Sequence, residues 1–283
     1  MAVVQFSRGR SLIYHSAGVA LGVVMLYPVL WMLASSFMTQ AEIFGGGLSL
    51  IPEQIRWSNF VEGWRGFGRH TFTRFFRNSF VITALSTAGS IASCLFVAYG
   101  FARIKFRGRG VMFAMMMATL LLPFEVQMIP RYLVFHRLGW INTYLPIIVP
   151  NWLASNAFFV FLFMQFMRSI PIEMDESAYV DGCGRFRILV SIIVPLCKPA
   201  IMTVAIFSFY WTWNNFIEPL VYLSRPQLYP VSVALRLFAD PAAVTNWGAM
   251  FAMATASLIP VVVVFLVLQR YIVEGISTSG LKG

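Results

Sequence analysis

Polar and aromatic side chains that could hold a sugar lie within or beside apolar stretches of this sequence. Amide and carboxylate groups bond hydroxyls, while aromatic faces stack on the C–H surfaces of a sugar ring. Polar side chains are costly in apolar surroundings and usually face a cavity or a partner. The candidates for a solute pathway are Glu125, Asn151, Asn156, Tyr210, Trp213, Asn214, Asn215 and Glu218.

Several of these side chains also have a structural interpretation. Asn214 and Asn215 are suited to hydrogen bonds with neighbouring helices, and Trp213 is suited to an aromatic belt at a membrane interface. Glu125 and Glu218 are equally suited to gates or to bonds between subunits.

A polar stretch, residues 169–195, predicts a short helix joined by a tight turn to a second helix. Ser169 is the expected N-cap of the first helix. Acidic residues that favour the positive end of the helix dipole follow it: Glu173, Asp175 and Glu176. Gly182 suits the position that terminates this helix. The second helix is expected to begin near Arg185 and to run to Pro195.

The sequence lacks the motifs that would supply catalysis or bind a cofactor. The three cysteines, Cys94, Cys183 and Cys197, show no C-x-x-C spacing, and the histidines form no H-E-x-x-H. The sequence contains no G-x-x-x-x-G-K-[ST] phosphate loop. We therefore predict no disulfide framework, no metal site, no catalytic residue and no cofactor, including ATP, in this chain.

The elements that position these residues must be membrane helices. Of the 283 residues, 59% are hydrophobic and 11% are charged, and the mean hydropathy is +0.74. A soluble domain carries about 25% charged residues, so a soluble globule is excluded. The net charge of +10 does not indicate nucleic acid, because the basic residues lie between apolar runs and set topology.

Apolar runs of the roughly 20 residues needed to cross a bilayer lie between the charges. We predict an all-α integral membrane protein with spans near residues 12–37, 78–102, 110–130, 138–167, 199–223 and 241–269. The first run exceeds the about 7–15 residues of a signal-peptide core and is interpreted as a retained anchor. The short loop 103–109 holds four basic residues, which predicts that it and both termini are cytoplasmic.

Residues 57–71, between the first two spans, combine apolar and charged residues at helical spacing. The pattern predicts an amphipathic helix on the outer membrane interface. A docking surface for an external protein is the alternative, and the two interpretations are compatible.

The spacing of residues within 169–195 resembles a known family motif. The motif is E-A-A, three residues, G, nine residues and I-x-L-P, and it belongs to a loop of binding-protein-dependent ABC transporter permeases. The matching residues are Glu176, Ser177, Ala178, Gly182, Ile192, Val194 and Pro195. Ser177 replaces an alanine and Val194 a leucine, which are small changes in size.

The resemblance covers residues from about 75 to 283, which look like the carbohydrate-uptake, maltose-permease-like branch of this family. Supporting stretches are 122–130, 213–220, 269–275 and 280–283. We divide the chain accordingly into an N-terminal anchor helix with an outer loop (1–74), a permease core with the loop 169–195 (75–270), and a cytoplasmic tail (271–283).

The resemblance implies a type I ABC importer permease fold with six membrane helices, in a prokaryotic inner membrane. It implies a heterodimer with a second permease subunit, two ATPase subunits that bind ATP and Mg, and an extracytoplasmic binding protein that delivers a sugar-like solute. In this family the loop 169–195 is the coupling loop. The coupling residues that it implies are Glu173, Glu176, Ser177, Ala178, Asp181, Gly182 and Pro195.

The resemblance also implies a role for individual residues of the coupling loop. Glu176 would project into a groove of the ATPase and meet a basic residue. Gly182 would allow the sharp turn behind the helix, and Pro195 would fix the break before the fifth span.

Two other classes of protein were weighed against this one. A secondary transporter or channel would use Glu125 and Glu218 as ion or proton carriers and should show internal repeats, which the sequence does not. A membrane-embedded enzyme would need a nucleophile with a base, or a metal-ligand set, at depth. For an importer, oligosaccharides, monosaccharide derivatives, polyols and sugar phosphates all stay open as solutes.

Overall fold

The computed structural model describes residues 8–45, 49–67, 69–238 and 246–280, and within these ranges it contains helices and no strand. In chain order the α-helices are α1 (Arg8–Ser35), α2 (Gln40–Gly45), α3 (Ser58–Arg65), α4 (Phe72–Arg103), α5 (Arg109–Thr119), α6 (Phe124–Arg137), α7 (Leu145–Trp152), α8 (Ala157–Ser169), α9 (Glu173–Val180), α10 (Arg185–Ile188), α11 (Val194–Leu196), α12 (Lys198–Trp213), α13 (Ile217–Tyr222), α14 (Val231–Leu237) and α15 (Trp247–Gly280). A π-helical turn, Leu189–Ile193, lies between α10 and α11, and a 3-10 turn, Pro226–Leu228, precedes α14. The predicted all-α class is confirmed, and residues 281–283 of the predicted tail lie outside the described residues.

Candidate membrane spans are of two kinds in the described part of the chain. Four helical segments are long and apolar enough to cross a membrane: Tyr14–Ser35, Phe72–Arg103, Leu145–Ser169 and Trp247–Gln269. Two further candidates are bent pairs, α5 with α6 at 103° and the segment Arg185–Leu196 with α12 at 76°. The described residues therefore hold four candidate spans, or up to six if each bent pair is one span.

The third span, expected as one run over 110–130, is bent in the structure. Helix α5 ends at Thr119, and Pro123 is the N-cap of α6 with φ −57° and ψ 141°. Proline lacks a backbone N–H and disfavours the helical conformation in the preceding residue. The run is therefore interrupted at Pro123, and Glu125 lies within the first turn of α6.

The fourth and fifth predicted spans also contain breaks. Helix α7 ends at Trp152 and α8 begins at Ala157, while α12 ends at Trp213 and α13 begins at Ile217. At membrane depth, irregular backbone is tolerated where it is buried in protein or lines a cavity. The breaks therefore direct attention to the polar residues beside them.

The chain forms two compact units. They are Met1–Thr71 with Leu235–Ser257, and Phe72–Ala234 with Leu258–Gly283. In the first unit α3 buries Asn59, whose Nδ2 donates to the carbonyl of Ser36 at 3.0 Å. The opposite side of this segment exposes Trp57 and Val61, by 67% and 53%. An amphipathic helix thus exists within 57–71, although it is shorter than expected and its place at a membrane interface stays a prediction.

In the second unit, α4 is the central helix and packs against α7, α8 and α12. Cys94 of α4, Phe163 of α8 and Val204 of α12 are fully buried in their shared core. At Gly89 the approach to α7 is so close that a Cβ atom would lie 2.5 Å from Cδ1 of Trp152. Helix α4 is therefore held tightly along its length by the elements that carry the candidate site residues.

Candidate functional site

The acidic helix predicted within the coupling loop is α9, but it begins later than expected. Ser169, the predicted N-cap, is the last residue of α8, and its hydroxyl donates to the carbonyl of Phe166 at 2.7 Å. Helix α9 begins at Glu173, and the hydroxyl of Ser177 donates to the Glu173 carbonyl at 2.8 Å. Ser169 was assigned wrongly because a serine hydroxyl also bonds well to a carbonyl of the turn before it.

Gly182 ends α9 as the sequence predicts. Its φ is +80°, its N–H donates to the carbonyl of Tyr179 at 3.0 Å, and the N–H of Cys183 donates to the carbonyl of Ala178 at 2.9 Å. This pair of bonds is the Schellman motif, which requires a left-handed residue after the helix cap and therefore favours glycine. The chain then leaves the helix in a sharp turn.

The two faces of α9 have different environments. Asp175 and Ala178, three residues apart, are buried, with 3% and 6% exposed. The other coupling-loop candidates are exposed: Glu173, Glu176, Ser177, Asp181, Gly182 and Pro195. The surface around Glu176 also carries exposed apolar side chains: Ile172, Met174, Tyr179, Val180 and Phe186. Of the predicted coupling residues, Ala178 thus packs into the core while the others face outward.

A buried ion pair holds the inner face of α9. Nε of Arg103, the last residue of α4, lies 3.1 Å from Oδ2 of Asp175, and the two side chains are 7% and 5% exposed. A second guanidinium nitrogen of Arg103 donates to the carbonyl of Ile170 at 2.8 Å. Burial raises the pKa of the Asp175 carboxyl above its ordinary value, and the positive charge of Arg103 opposes that shift.

The sequence interpretation missed this pair. Arg103 was used only as one of the basic residues that set topology, and Asp175 only as a charge in the first turn of a helix. The signal that was present is the three-residue spacing of Asp175 and Ala178, which places both on one face.

The second helix of the coupling loop follows the expected path with one irregularity. It begins at Arg185, includes the π-helical turn and ends at Leu196. The turn before α12 is at Cys197, so the 76° bend lies two residues beyond Pro195. Pro195 lies in the last turn of this second helix.

Two adjoining cavities in the second unit bring several solute-pathway candidates together. The smaller, about 140 Å³, lies between α7, α8, α12 and α13. The larger, about 350 Å³, also reaches α5 and α6. Both are lined by Ile147, Asn151, Asn156 and Glu218, and Asn215 and Trp211 line the smaller one. Four of the eight predicted pathway residues therefore share one polar space.

Glu218 is the centre of the polar network in this space. Its Oε2 accepts a hydrogen bond from Nδ2 of Asn215 at 2.6 Å, and its Oε1 lies 3.7 Å from Nη1 of Arg131. The Nη2 of Arg131 donates to Oε1 of Gln127 at 2.9 Å. Arg131 and Gln127, four residues apart on α6, also line the larger cavity. The network offers both donors and acceptors, as a hydroxyl-rich solute requires.

The side-chain amides at the α7–α8 break already form hydrogen bonds within the fold. Ser90 of α4 donates to Oδ1 of Asn151 at 3.1 Å, and Oδ1 of Asn156 accepts from the N–H of Phe159 as the N-cap of α8. Between them Ala154 has φ +52°, a conformation uncommon for a residue with a Cβ, and such positions cluster at functional sites.

The remaining pathway candidates line neither cavity. Trp213 is buried and stacks on Phe209, with ring centroids 5.6 Å apart. Tyr210 and Asn214 are exposed, and Nδ2 of Asn214 donates to the carbonyl of Tyr210. Glu125 is exposed on α6. Sequence proximity placed these residues with the others, but the turn after α12 separates Asn214 from Asn215.

Comparison with known proteins agrees with these features. Residues 86–278 match the family described as "Binding-protein-dependent transport system inner membrane component". The chain is 32% identical to the "Probable ABC transporter permease protein YurM" of Bacillus subtilis, over 92% of this chain and 85% of that protein. It is 29% identical to the "Arabinooligosaccharides transport system permease protein AraQ" of Halalkalibacterium halodurans, over 92% of each.

A solved structure shares the fold over nearly the whole chain. It is the crystal structure of a bacterial ABC transporter involved in the import of the acidic polysaccharide alginate, matched at 25% identity and a TM-score of 0.81 over 94% of this chain and 99% of that one. The predicted membership of the permease family is thus confirmed by relatives that match more than nine-tenths of the chain. The chain belongs to the family of binding-protein-dependent transport system inner membrane components.

Proposed function

We propose that this chain is one of two permease subunits of an ATP-driven, binding-protein-dependent importer in a prokaryotic inner membrane. It forms half of the translocation pathway for a carbohydrate-like solute. Its partners are a second permease, two ATPase subunits and an extracytoplasmic binding protein. It has six spans with both termini in the cytoplasm, and ATP is hydrolysed by the ATPase subunits.

The observation that carries the proposal is the outer surface of α9. An exposed apolar patch rimmed by charged residues marks a site of protein–protein contact. Here Val180 is 89% exposed and Phe186 70%, and Glu173 and Glu176 of α9 are exposed as well. The opposite face of the same helix is anchored through Asp175. A helix held on one side and exposed on the other suits the insertion of α9 into a groove of an ATPase subunit.

The carbohydrate assignment is supported by the polar cavities and by the relatives. Glu218, Asn215 and Arg131 supply acceptors and donors for hydroxyls, and Trp211 supplies an aromatic ring beside them. AraQ and the alginate transporter are both named for the transport of saccharides. The alternative of a carboxylate-based ion carrier is weaker, because Glu125 does not line the cavities that Glu218 lines.

The proposal is tested by reconstituting the chain with its second permease, ATPase and binding protein in proteoliposomes. Labelled oligosaccharides, monosaccharide derivatives, polyols and sugar phosphates are then offered. We expect accumulation of one solute class that requires both ATP and the binding protein, and no ATP hydrolysis by the isolated chain. Accumulation driven by an ion gradient without the ATPase would contradict the proposal.

Cavity variants in the same assay separate a solute pathway from a purely structural cluster. We expect Arg131→Gln to lower uptake while leaving ATPase retention normal, because it removes a positive charge 3.7 Å from Oε1 of Glu218 that also lines the larger cavity. Arg137→Gln is the matched control, since Arg137 lies on the same helix but is exposed and lines neither cavity. Equal uptake by both variants would remove Arg131 from the pathway.

A further inference from the structure

The end of α4 holds the coupling helix from both sides. Arg103 contacts Asp175 within α9 and the carbonyl of Ile170 in the segment before it. One turn earlier on α4, the hydroxyl of Tyr99 donates to the carbonyl of Arg185, beyond the Gly182 turn, at 3.2 Å. Two residues of a single helix thus donate hydrogen bonds to the backbone before and after α9, and one of them also forms an ion pair with α9 itself.

The buried charges of this pair are not explained by stability. Desolvating two charges consumes most of their mutual attraction, and apolar residues of similar volume often stabilise a fold equally well or better. Oδ1 of Asp175 and Nε of Arg103 are moreover both buried without a hydrogen-bond partner in the described structure, so the two side chains form a close ion pair that is not hydrogen-bonded. A guanidinium does, however, hold two acceptors at once in a fixed plane. Here Nη2 of Arg103 donates to the carbonyl of Ile170 while Nε lies 3.1 Å from Asp175, so one side chain of α4 contacts both α9 and the segment before it.

The same helix reaches the polar cavities. About 20 Å along α4 from Arg103, at the 1.5 Å rise of an α-helix, Ser90 donates to Oδ1 of Asn151 at 3.1 Å. The nearby hydroxyl of Ser93 donates to the carbonyl of Asn151 at 2.8 Å and accepts from the N–H of Ala154 at 3.1 Å. Helix α4 therefore bonds at one end to α9 and farther along to the break that lines the cavities.

We propose that Arg103 and Asp175 are positioning residues that join α9 to α4, so that movement of α9 is transmitted along α4 to Asn151 and the cavity wall. The inference rests on the proposed function, because it needs an ATPase that moves α9. In this inference the ion pair couples ATP hydrolysis to transport. It is not needed for the ATPase to dock or for the chain to insert in the membrane.

The test uses the complete reconstituted transporter and measures solute molecules imported per ATP hydrolysed. The variants are Arg103→Lys, which keeps the charge but not the planar fork, Asp175→Asn, and the apolar pair Arg103→Met with Asp175→Leu. We expect each to retain the ATPase on pull-down but to lower the ratio by about ten-fold, within the roughly 5–150-fold range of coupling between sites. Arg107→Lys is the matched control in the same basic loop, because Arg107 is exposed.

The apolar pair decides the outcome if a single substitution prevents insertion, because it restores packing without charge. A wild-type ratio in that pair would overturn the inference, since the two residues would then only fill space. Loss of ATPase retention in that pair would also overturn it, because the ion pair would then build the docking surface. A wild-type transporter that imports no solute with ATP would instead contradict the proposed function.

Discussion

Gly182 shows how one residue sets the direction of the coupling loop. Its φ is +80°, and a Cβ atom there would meet nothing within 4 Å, so a substitution acts through backbone strain and not through a clash. A residue with a Cβ in the left-handed region costs roughly 1–2 kcal/mol. We expect Gly182→Ala to lower the stability of the last turn of α9 by about the same free energy. We expect Gly182→Leu to abolish solute uptake, and both variants to insert in the membrane. Amide hydrogen exchange in α9 and solute uptake measure the two effects.

Gly184 supplies a matched control for this argument. It lies two residues away, its φ is −73°, and a Cβ atom there would also meet nothing within 4 Å. Gly184→Ala should therefore leave hydrogen exchange in α9 and solute uptake unchanged. Equal losses in the two alanine variants would contradict the strain explanation.

At the scale of the element, α9 is a helix whose two faces have different environments. Glu176 lies on the exposed face among exposed apolar side chains, whereas Asp175 lies on the buried face. We expect Glu176→Lys to abolish uptake and to weaken retention of the ATPase subunit on pull-down, because it reverses the charge at the docking surface. The loss is expected to be roughly 2–5 kcal/mol of binding if the carboxylate becomes buried in the contact.

The control for this charge reversal is Glu53→Lys. Glu53 is exposed and belongs to the first unit, outside α9. It should leave both uptake and ATPase retention unchanged. Normal uptake and normal retention in the Glu176→Lys variant would show that the outer face of α9 is not the docking surface.

At the scale of the whole molecule, the proposed topology places the loop after α4 in the cytoplasm and the loop after α2 outside. We expect a membrane-impermeant maleimide to label Gln54→Cys in intact cells and Arg107→Cys only after permeabilisation, because a charged reagent does not cross the bilayer. Both positions are exposed. The background variant is Cys183→Ser, since the other two native cysteines are buried.

The opposite labelling pattern would reverse the orientation of the chain. It would also place α9 on the side away from any cytoplasmic ATPase, so the coupling interpretation would fail with it. The unsubstituted Cys183→Ser background should take up no label on either side.

Local features of the sequence were sufficient to predict the membrane class, the helix α9 and the glycine that ends it. Apolar run length selects the bilayer, and the acidic residues and Gly182 delimit a short helix, because each of these signals depends on only a few neighbouring residues. Even so, Ser169 was misplaced and the bend at Pro123 was missed. A serine hydroxyl can bond to the helix that follows it or to the turn before it. The angle at a proline depends on how the neighbouring helices pack.

Only the tertiary structure decided which distant residues act together. Arg103 bonds Ile170, 67 residues away in the chain, and Arg131 meets Glu218 through helices that are not consecutive. The tertiary structure also separated Asn215, which lines a cavity, from Asn214, which does not. Composition and spacing carry no information on such pairings, because they depend on how helices pack and where breaks redirect the chain. The sequence alone thus determined a membrane protein that resembles a permease and predicted its coupling loop, and the packing of α4 determined how the loop 169–195 is connected to the cavities.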